Sequence, residues 1–526
     1  MKKGDFHVTM AFITAYWGLD VMIVLMTLII TVHFYMAHKF NYWKKRNVLH
    51  ALPISILGNF KDCLLLKKSP GYLLKDFYDQ GKGMPYIGFY ILNKPSLMVR
   101  DRELIKNILI KDFDYFIDRF ATPSTTDRLA YSSLFFIKDA AWKILRTKLS
   151  PTFSSGKLKK MFELMLECGD NLDTYLESIK LEDKNIELDV KDLSSKFFMD
   201  IVGTTAYGLN VNSLNNPDNE FPKYGKQIFK ISVLHSIEFF AIFFLPSLVY
   251  FINAELFNKK VTVFLRNVFW HTITQRIKSG KKRNDLIDAL IELKGKIYRD
   301  QDSEKEFTFD GDDLLAQAAI FFIAGYETSS TTVTFTLYEL ARHPEVQNRL
   351  RKEILNALDE TDGKITYDMV TKSLPYLDMV VSEILRMYPP LPFLDRITKE
   401  TYKVPNSDLV LEKGTPIFIS LLGVHYDPEY YPTPDKFDPE RFTEENKRNR
   451  PSCVYLPFGA GPRMCIGFRM GLLQSKLGII VILRKYEVEP CKKTLIPMVI
   501  ESASSSTTPL GGTMHLNIRR INNNAN

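Results

Sequence analysis

The chain has 526 residues, 45% apolar and 25% charged, a balance that supports a sizeable packed core and excludes a disordered protein. Its net charge of +8 is spread over 69 basic and 61 acidic residues, which excludes a nucleic-acid footprint but leaves room for a basic face toward an acidic protein or an anionic membrane. Five cysteines (Cys63, Cys168, Cys453, Cys465, Cys491), an odd number without a CxxC or Cys/His cluster, argue against a disulfide framework or a zinc site and favour a reducing compartment.

The amino-terminal stretch from Met10 to Ala37 is apolar apart from Asp20, His33 and a few hydroxyls. Val21 to Ala37 alone gives 17 residues, near the lower limit for a membrane-spanning helix, with Asp20 at one interface. A cleaved signal peptide would have a shorter apolar region and a small-residue cleavage site, which "HFYMAHKFNYWKKR" lacks. Lys39, Lys44, Lys45 and Arg46 outweigh Lys2 and Lys3, so the positive-inside rule leaves the body in the cytosol. Residues 1–46 are therefore predicted as anchor and basic flank, residues 47–60 as a hinge, and residues 61–526 as one catalytic domain.

In that body, "YIGFYILNKPSLMVR" (Tyr86 to Arg100) predicts two short strands around an Asn-Lys-Pro turn, and helical patterns dominate from about residue 140 to 390. The apolar run from Phe239 to Ile252, 14 residues broken by Pro246, is too short to span a bilayer and reads as buried core or as a membrane-interface contact. Strand character returns at Thr401–Val404, Leu409–Ser420 and Gly511–Arg520, so a sheet built from both ends of the chain is expected. No repeat, long linker or low-complexity tract is present beyond the "NNNAN" tail.

Asp313 to Leu340 predicts a core helix, apolar for most of its length. Glu327 and Thr328 interrupt it, and a carboxylate there costs free energy unless it is bonded, hydrated or protonated. Gly325 is a poor interior helix residue, by about 1 kcal/mol relative to Ala. A local opening of the helix that admits water and oxygen would account for all three.

"PFGAGPRMCIG" (Pro457 to Gly467) surrounds Cys465 with three glycines and Arg463. Glycines allow close approach of another surface, here a flat macrocycle, while amide N–H groups and a nearby cation stabilise a thiolate that binds iron. A dinucleotide loop is excluded, because Met464 stands where the third glycine is needed and Pro462 interrupts the approach.

This fragment resembles the haem-binding loop of the cytochromes P450, Phe-x-x-Gly-x-Arg-x-Cys-x-Gly. "AGYETSS" (Ala324 to Ser330) is similar to the family's oxygen-activating helix motif, "EILR" (Glu383 to Arg386) to its Glu-x-x-Arg, "PERF" (Pro439 to Phe442) to its later arginine motif, and "WKILR" (Trp142 to Arg146) to its Trp-x-x-x-Arg element. The resemblance spans essentially the whole chain and implies a mainly α fold with a smaller β region, plus the transmembrane helix. It implies haem b ligated through iron by Cys465, with Arg463, Trp142, Arg146 and Arg396 directed to the propionates and Ala324 and Phe458 also against the haem. Thr328, with Glu327 and water, would deliver protons. Glu383, Arg386 and Arg441 would form a buried network behind the loop.

The implied reaction is monooxygenation, one atom of dioxygen entering the substrate, with electrons drawn from NADPH. No flavin or nicotinamide fingerprint is present, so the implied partner is the membrane-bound NADPH-dependent flavoprotein reductase, with cytochrome b5 as a further candidate, on the endoplasmic reticulum. Lys143, Lys148, Lys157, Lys159 and Lys160 offer either a basic docking surface or a merely solvated face. Phe321, Phe322, Ile323, Leu391, Phe393 and Leu394 predict an apolar pocket and a lipophilic substrate. "WKILRTKLSPTFSSGKLKKM" and "AGYETSS" are similar to the branch with vertebrate drug-oxidising and insect detoxifying enzymes. Xenobiotic oxidation is thus the first expectation, and hydroxylation of an endogenous steroid, terpenoid or fatty acid the second. A reductase-independent haem-thiolate isomerase and a non-catalytic haem carrier are the rivals from other classes.

Overall fold

The computed structural model describes residues 14, 16–179, 186–216, 219–229, 231–300 and 304–521. Lys2, Lys3, the start of the apolar stretch at residues 10–13 and the asparagine-rich tail lie outside the described residues. Trp17–Phe40 forms one helix of 24 residues. At 1.5 Å per residue it is about 36 Å long, enough to cross a hydrocarbon core of about 30 Å. Its apolar side chains are exposed along most of its length, and Asp20 in its first turn accepts the Thr14 N–H at 2.7 Å.

Residues 47–60, expected as a hinge, are instead fastened to the catalytic body. Just before them Trp43 is fully buried and donates Nε1–H to Phe89 O at 3.2 Å. Its indole lies flat on Gly88, where a Cβ would come within 2.5 Å of the ring. Gly88 N–H reaches Leu49 O at 2.8 Å and Ala51 N–H reaches Gly88 O at 2.9 Å, so the segment extends the sheet edge. One proline and one glycine looked like freedom; the backbone pairing that removes it is a long-range feature.

The predicted hairpin is present as Tyr86–Ile91 and Lys94–Val99, antiparallel. Its turn falls at Leu92 and Asn93, with Leu92 in the left-handed region, and Pro95 stands inside the second strand opposite Tyr90. Lys94–Val99 continues in parallel to Pro416–Ser420, which pairs antiparallel with Phe393–Ile397. The sheet does join distant parts of the chain, but of the later stretches expected in it only Pro416–Ser420 contributes, while Tyr402–Lys403 pairs with Val410–Leu411 in a separate two-stranded sheet. The last strand, His515–Arg520, belongs to a separate sheet with Tyr486–Pro490 and Ile186–Asp189.

The helical body is organised around Asp312–Arg342, a 31-residue helix buried over most of its length. It packs on Val190–Ala206 and on Phe468–Leu483, the helix that follows Cys465. The apolar run after Phe239 divides at Pro246. Phe240 to Phe244 are core, with Phe244 stacked on Phe418, whereas Leu248, Tyr250, Phe251 and Ile252 in the Pro246–Ile252 helix are exposed. The run is therefore buried core in its first half and exposed apolar surface in its second.

Candidate functional site

The cysteine loop is shaped by two glycines in the left-handed region, Gly459 at φ 71° and Gly461 at φ 72°. Gly461 does not clear space for a ligand. A Cβ there would stand 1.8 Å from Leu109 O, so its role is to let two backbones touch. Gly459 does line the cavity described below. Cys465 N–H closes the loop on Phe458 O at 2.8 Å. Cys465 lies deep within the fold, and the exposed surface of its side chain faces an internal cavity. Burial pushes the Cys465 thiol up, opposed by the Gly467 N–H and by Arg146 and Arg119.

The cavity, about 210 Å³, lies between the central helix and this loop. Ile320, Phe321, Ala324 and Thr328 form one wall, and Phe458, Met464 and Cys465 the other. Arg119, Arg396, Arg463 and Trp142 gather at one end. Arg463 lies 4.3 Å from the Trp142 ring and donates to Asp118 at 3.2 Å. Arg119 donates to Asp395 at 3.0 Å. Lys138, whose ammonium burial pushes down, interacts with the same acids. Four cations thus share two carboxylates, a surplus of two positive charges in a buried place. Burial, then Arg119, pulls Arg396 down to about 9, and burial with Arg119 and Arg396 does the same to Arg463. Nε of Arg119, Arg396 and Arg463 is buried without a hydrogen-bond partner. A buried cation is tolerated when an anion meets it. A flat group with two carboxylates and a metal facing Cys465 fits this donor set, so the residues present suit the expected haem.

The predicted residues do not all converge. Arg146 lines the cavity, but its electrostatic partner is Cys465; burial lowers its pKa and the sulfur opposes this. Thr328 faces the cavity and donates Oγ1–H to Ala324 O at 2.7 Å. Glu327 faces away, onto a second, polar cavity of about 250 Å³. There Lys191 Nζ, from the neighbouring helix, donates to Glu327 Oε1 at 2.9 Å, Ser330 Oγ at 2.9 Å and Thr331 Oγ1 at 3.2 Å.

The expected opening of the helix is not found: Asp312–Arg342 is continuous. Gly325 permits close packing, since a Cβ would stand 2.9 Å from Val202 on the Val190–Ala206 helix. The buried carboxylate is compensated by Lys191 on that same helix. Close approach of two helices therefore explains both residues that the sequence left anomalous.

The three-member network is assembled as expected. Arg386 Nε and Nη2 bind Glu383 at 2.7 and 2.8 Å with both side chains fully buried, and Arg441 Nε approaches Glu383 at 3.4 Å. Of the five lysines considered for docking, Lys157 donates to Asn284, Lys159 to Asp368, and Lys148 lies over the Tyr298 ring, all on the surface.

Sequence reasoning missed Arg119, Lys138 and Lys191. None lies in a local pattern: Arg119 and Lys191 meet their carboxylates 276 and 136 residues away, and Lys138 donates to the backbone of Arg119, 19 residues earlier. Only the unexplained Glu327 signalled that a buried cation must exist somewhere.

The family model for Cytochrome P450 matches residues 52–516. The chain is 44% identical to Cytochrome P450 6k1 of Blattella germanica over 506 residues, 94% of this chain and 96% of that protein. It is 41% identical to Cytochrome P450 6j1 of the same organism over 504 residues, 96% of this chain and 98% of that one. With Probable cytochrome P450 6g2 of Drosophila melanogaster it shares 38% over 493 residues, 91% and 95% of the two chains.

Proposed function

Since the chain belongs to the cytochrome P450 family of haem-thiolate monooxygenases, we propose that it oxidises lipophilic xenobiotics such as plant toxins, drugs or insecticides. Electrons come from NADPH through a membrane-bound flavoprotein reductase, with cytochrome b5 as a further donor. The Trp17–Phe40 helix holds the protein on the cytosolic face of the endoplasmic reticulum, and the exposed Leu248, Tyr250 and Phe251 add a second apolar contact with the bilayer.

Bound haem supplies the oxygen and electron chemistry. The chain's own residues bind and orient. Cys465 would ligate the iron, its charge supported by the Gly467 N–H and by Arg146. Arg396, Arg463, Arg119 and Trp142 would hold its carboxylates, and Ala324 and Phe458 would stand against it. Phe321, Ile320 and Leu391 exclude water and favour an apolar substrate. Thr328 holds a proton at Oγ1 on the cavity wall. Glu327, one residue earlier and held by Lys191, stands at a hydroxyl-rich cavity that includes Ser504, Ser506 and Thr508, a suitable reservoir for water. Residues 61–526, with residues 47–60 fastened along their sheet edge, act as one catalytic domain.

The observation that carries this reading is a thiol facing an apolar cavity whose end holds a surplus of two positive charges. The test is product analysis with reductase and NADPH across plant toxins, insecticides, steroids and fatty acids. Oxidised toxins or insecticides support it; oxidation of steroids or fatty acids alone would replace the xenobiotic assignment with the endogenous one. Turnover independent of NADPH would favour the isomerase.

A further inference from the structure

Gln317 stands on the central helix one turn before Phe321 and is fully buried. A buried amide on a core helix is costly unless bonded, and a helix needs none of it. Its Oε1 accepts the Leu134 N–H at 2.8 Å, and its Nε2 donates to Ser132 O at 2.8 Å and to Asp313 O at 2.8 Å. Two of these three bonds run to a separate segment, residues 132–134, on which both ends of the amide are used.

The far end of that segment is tied to the cysteine loop. Arg463 Nη2 donates to Ile137 O at 3.0 Å and Nη1 to Phe135 O at 3.5 Å. Ser132–Ile137 is therefore a strap hung between the helix that carries Thr328 and the loop that carries Cys465. The strap presents Leu134 and Phe135 to the cavity. Arg119 lies over the Phe135 ring at 3.9 Å, and Phe136 and Phe243 stand against it at 4.8 and 6.2 Å. Ring contacts hold Phe135 laterally, whereas at the helix end the depth of the strap is set by the Gln317 amide.

We propose that Gln317 is a specificity-determining positioning residue. By holding Leu134 N–H and Ser132 O, it fixes how far Leu134 and Phe135 intrude into the cavity that Cys465 also lines, and so which lipophilic molecules fit. The inference rests on the reading of this cavity as the haem and substrate site. Gln317 itself acts only through the strap.

The test uses the haem-loaded full chain and two azole probes read by the shift of the haem absorption band. Imidazole is small enough to bind without meeting the strap, and phenylimidazole is not. Gln317→Met keeps the side-chain length and removes both bonds to the strap, together with the one to Asp313 O. Phenylimidazole affinity should change by about fivefold or more while imidazole affinity stays within about twofold, and Leu134 N–H exchange should accelerate by about tenfold. Gln317→Glu keeps the acceptor for Leu134 N–H and should retain most of that protection with a smaller change in the phenylimidazole constant; it carries the test if Gln317→Met does not fold. Equal changes for the two azoles, or none for either, would overturn the proposal. Failure of the wild-type protein to show any azole shift would instead remove the haem reading beneath it.

Discussion

The imidazole Nε2 of His425 accepts the Leu456 N–H at 3.0 Å, three residues before Gly459. Its Nδ1 lies 3.1 Å from Arg386 O, so the neutral ring donates there and accepts from the loop. Arg386 in turn donates to His425 O at 2.9 Å and to Pro434 O at 2.8 Å. The Glu383–Arg386 pair thus reaches the cysteine loop through one imidazole.

Replacing His425 by Leu should leave the Leu456 N–H buried and unbonded, a loss of about 1–3 kcal/mol. Burial, followed by repulsion from Arg386, pulls His425 down to about 3. Unfolded His takes up a proton near 6.5, so this residue stabilises the fold fully above that pH, and its contribution fades as pH falls from about 6.5 toward 3. Urea unfolding of wild type and His425→Leu between pH 4 and 8 checks both points. The stability gap should be widest at pH 8 and narrow on acidification. A gap independent of pH would contradict the neutral, buried imidazole.

Arg386→Lys tests the network behind that contact. Arginine makes four bonds from one planar fork, two to Glu383 and two to backbone carbonyls. An ammonium cannot reproduce them, and Glu383 is left with too few donors in a fully buried site. Breaking such a pair costs about 3–5 kcal/mol. The expected result is a poorly folded protein that retains little haem. Unfolding midpoints and haem content measure it; a change under about 1 kcal/mol would contradict a supporting role for the network.

The residues best read from sequence were those whose meaning is local. Cys465, Arg463 and Phe458 sit in one short loop, and Glu383 and Arg386 share a helix face, so short motifs with a family resemblance were enough to group them. Tyr86–Val99 and the 31-residue helix were legible for the same reason, through periodicity. What could not be read is what depends on a distant partner. Gly461 seemed to make room for a ligand and instead makes room for Leu109 O; Gly325 seemed to open a helix and instead admits Val202. Residues 47–60 seemed free because the sheet edge that binds them is not visible in their composition.

The Lys191–Glu327 pair offers a double-mutant test. Both side chains are more than nine-tenths buried, and Lys191 uses three donors on the central helix. Lys191→Met should leave an uncompensated carboxylate and cost about 3–5 kcal/mol. Glu327→Gln added to it removes the charge and should recover much of that loss. Unfolding midpoints of the two single variants and the double variant give the coupling; additive losses would mean that the two groups do not depend on each other.

Arg396 should act with opposite sign in the two states of the protein. Its guanidinium is held at about 9 by burial and by Arg119, which is a standing cost when no anion is opposite. Arg396→Leu should therefore raise the unfolding midpoint of the haem-free protein. With haem bound, the same change removes a charge-assisted bond and should speed haem transfer to an acceptor protein by about tenfold or more. Loss of stability in both states would place Arg396 in the packing alone.

Asp127 gives a pH dependence of the other sign from that of His425. Its carboxylate accepts Ala130 N–H at 3.1 Å, Leu256 N–H at 2.7 Å and Phe257 N–H at 3.0 Å, joining the start of the short helix before the strap to the segment after Pro246–Ile252. Burial, with Glu255 adding repulsion, raises it to about 6 despite those three donors. A folded pKa above the unfolded value near 3.9 means that the native state binds the proton more readily. The contribution is fully present below about 3.9 and is lost as pH rises through 6. Asp127→Asn removes this titration, so the stability of wild type relative to the variant should fall by about 2–3 kcal/mol between pH 4 and pH 7. The same urea series measures it. A wild-type advantage that grows with pH would mean that the three amides outweigh burial and that Asp127 is held below, not above, the usual carboxylate range.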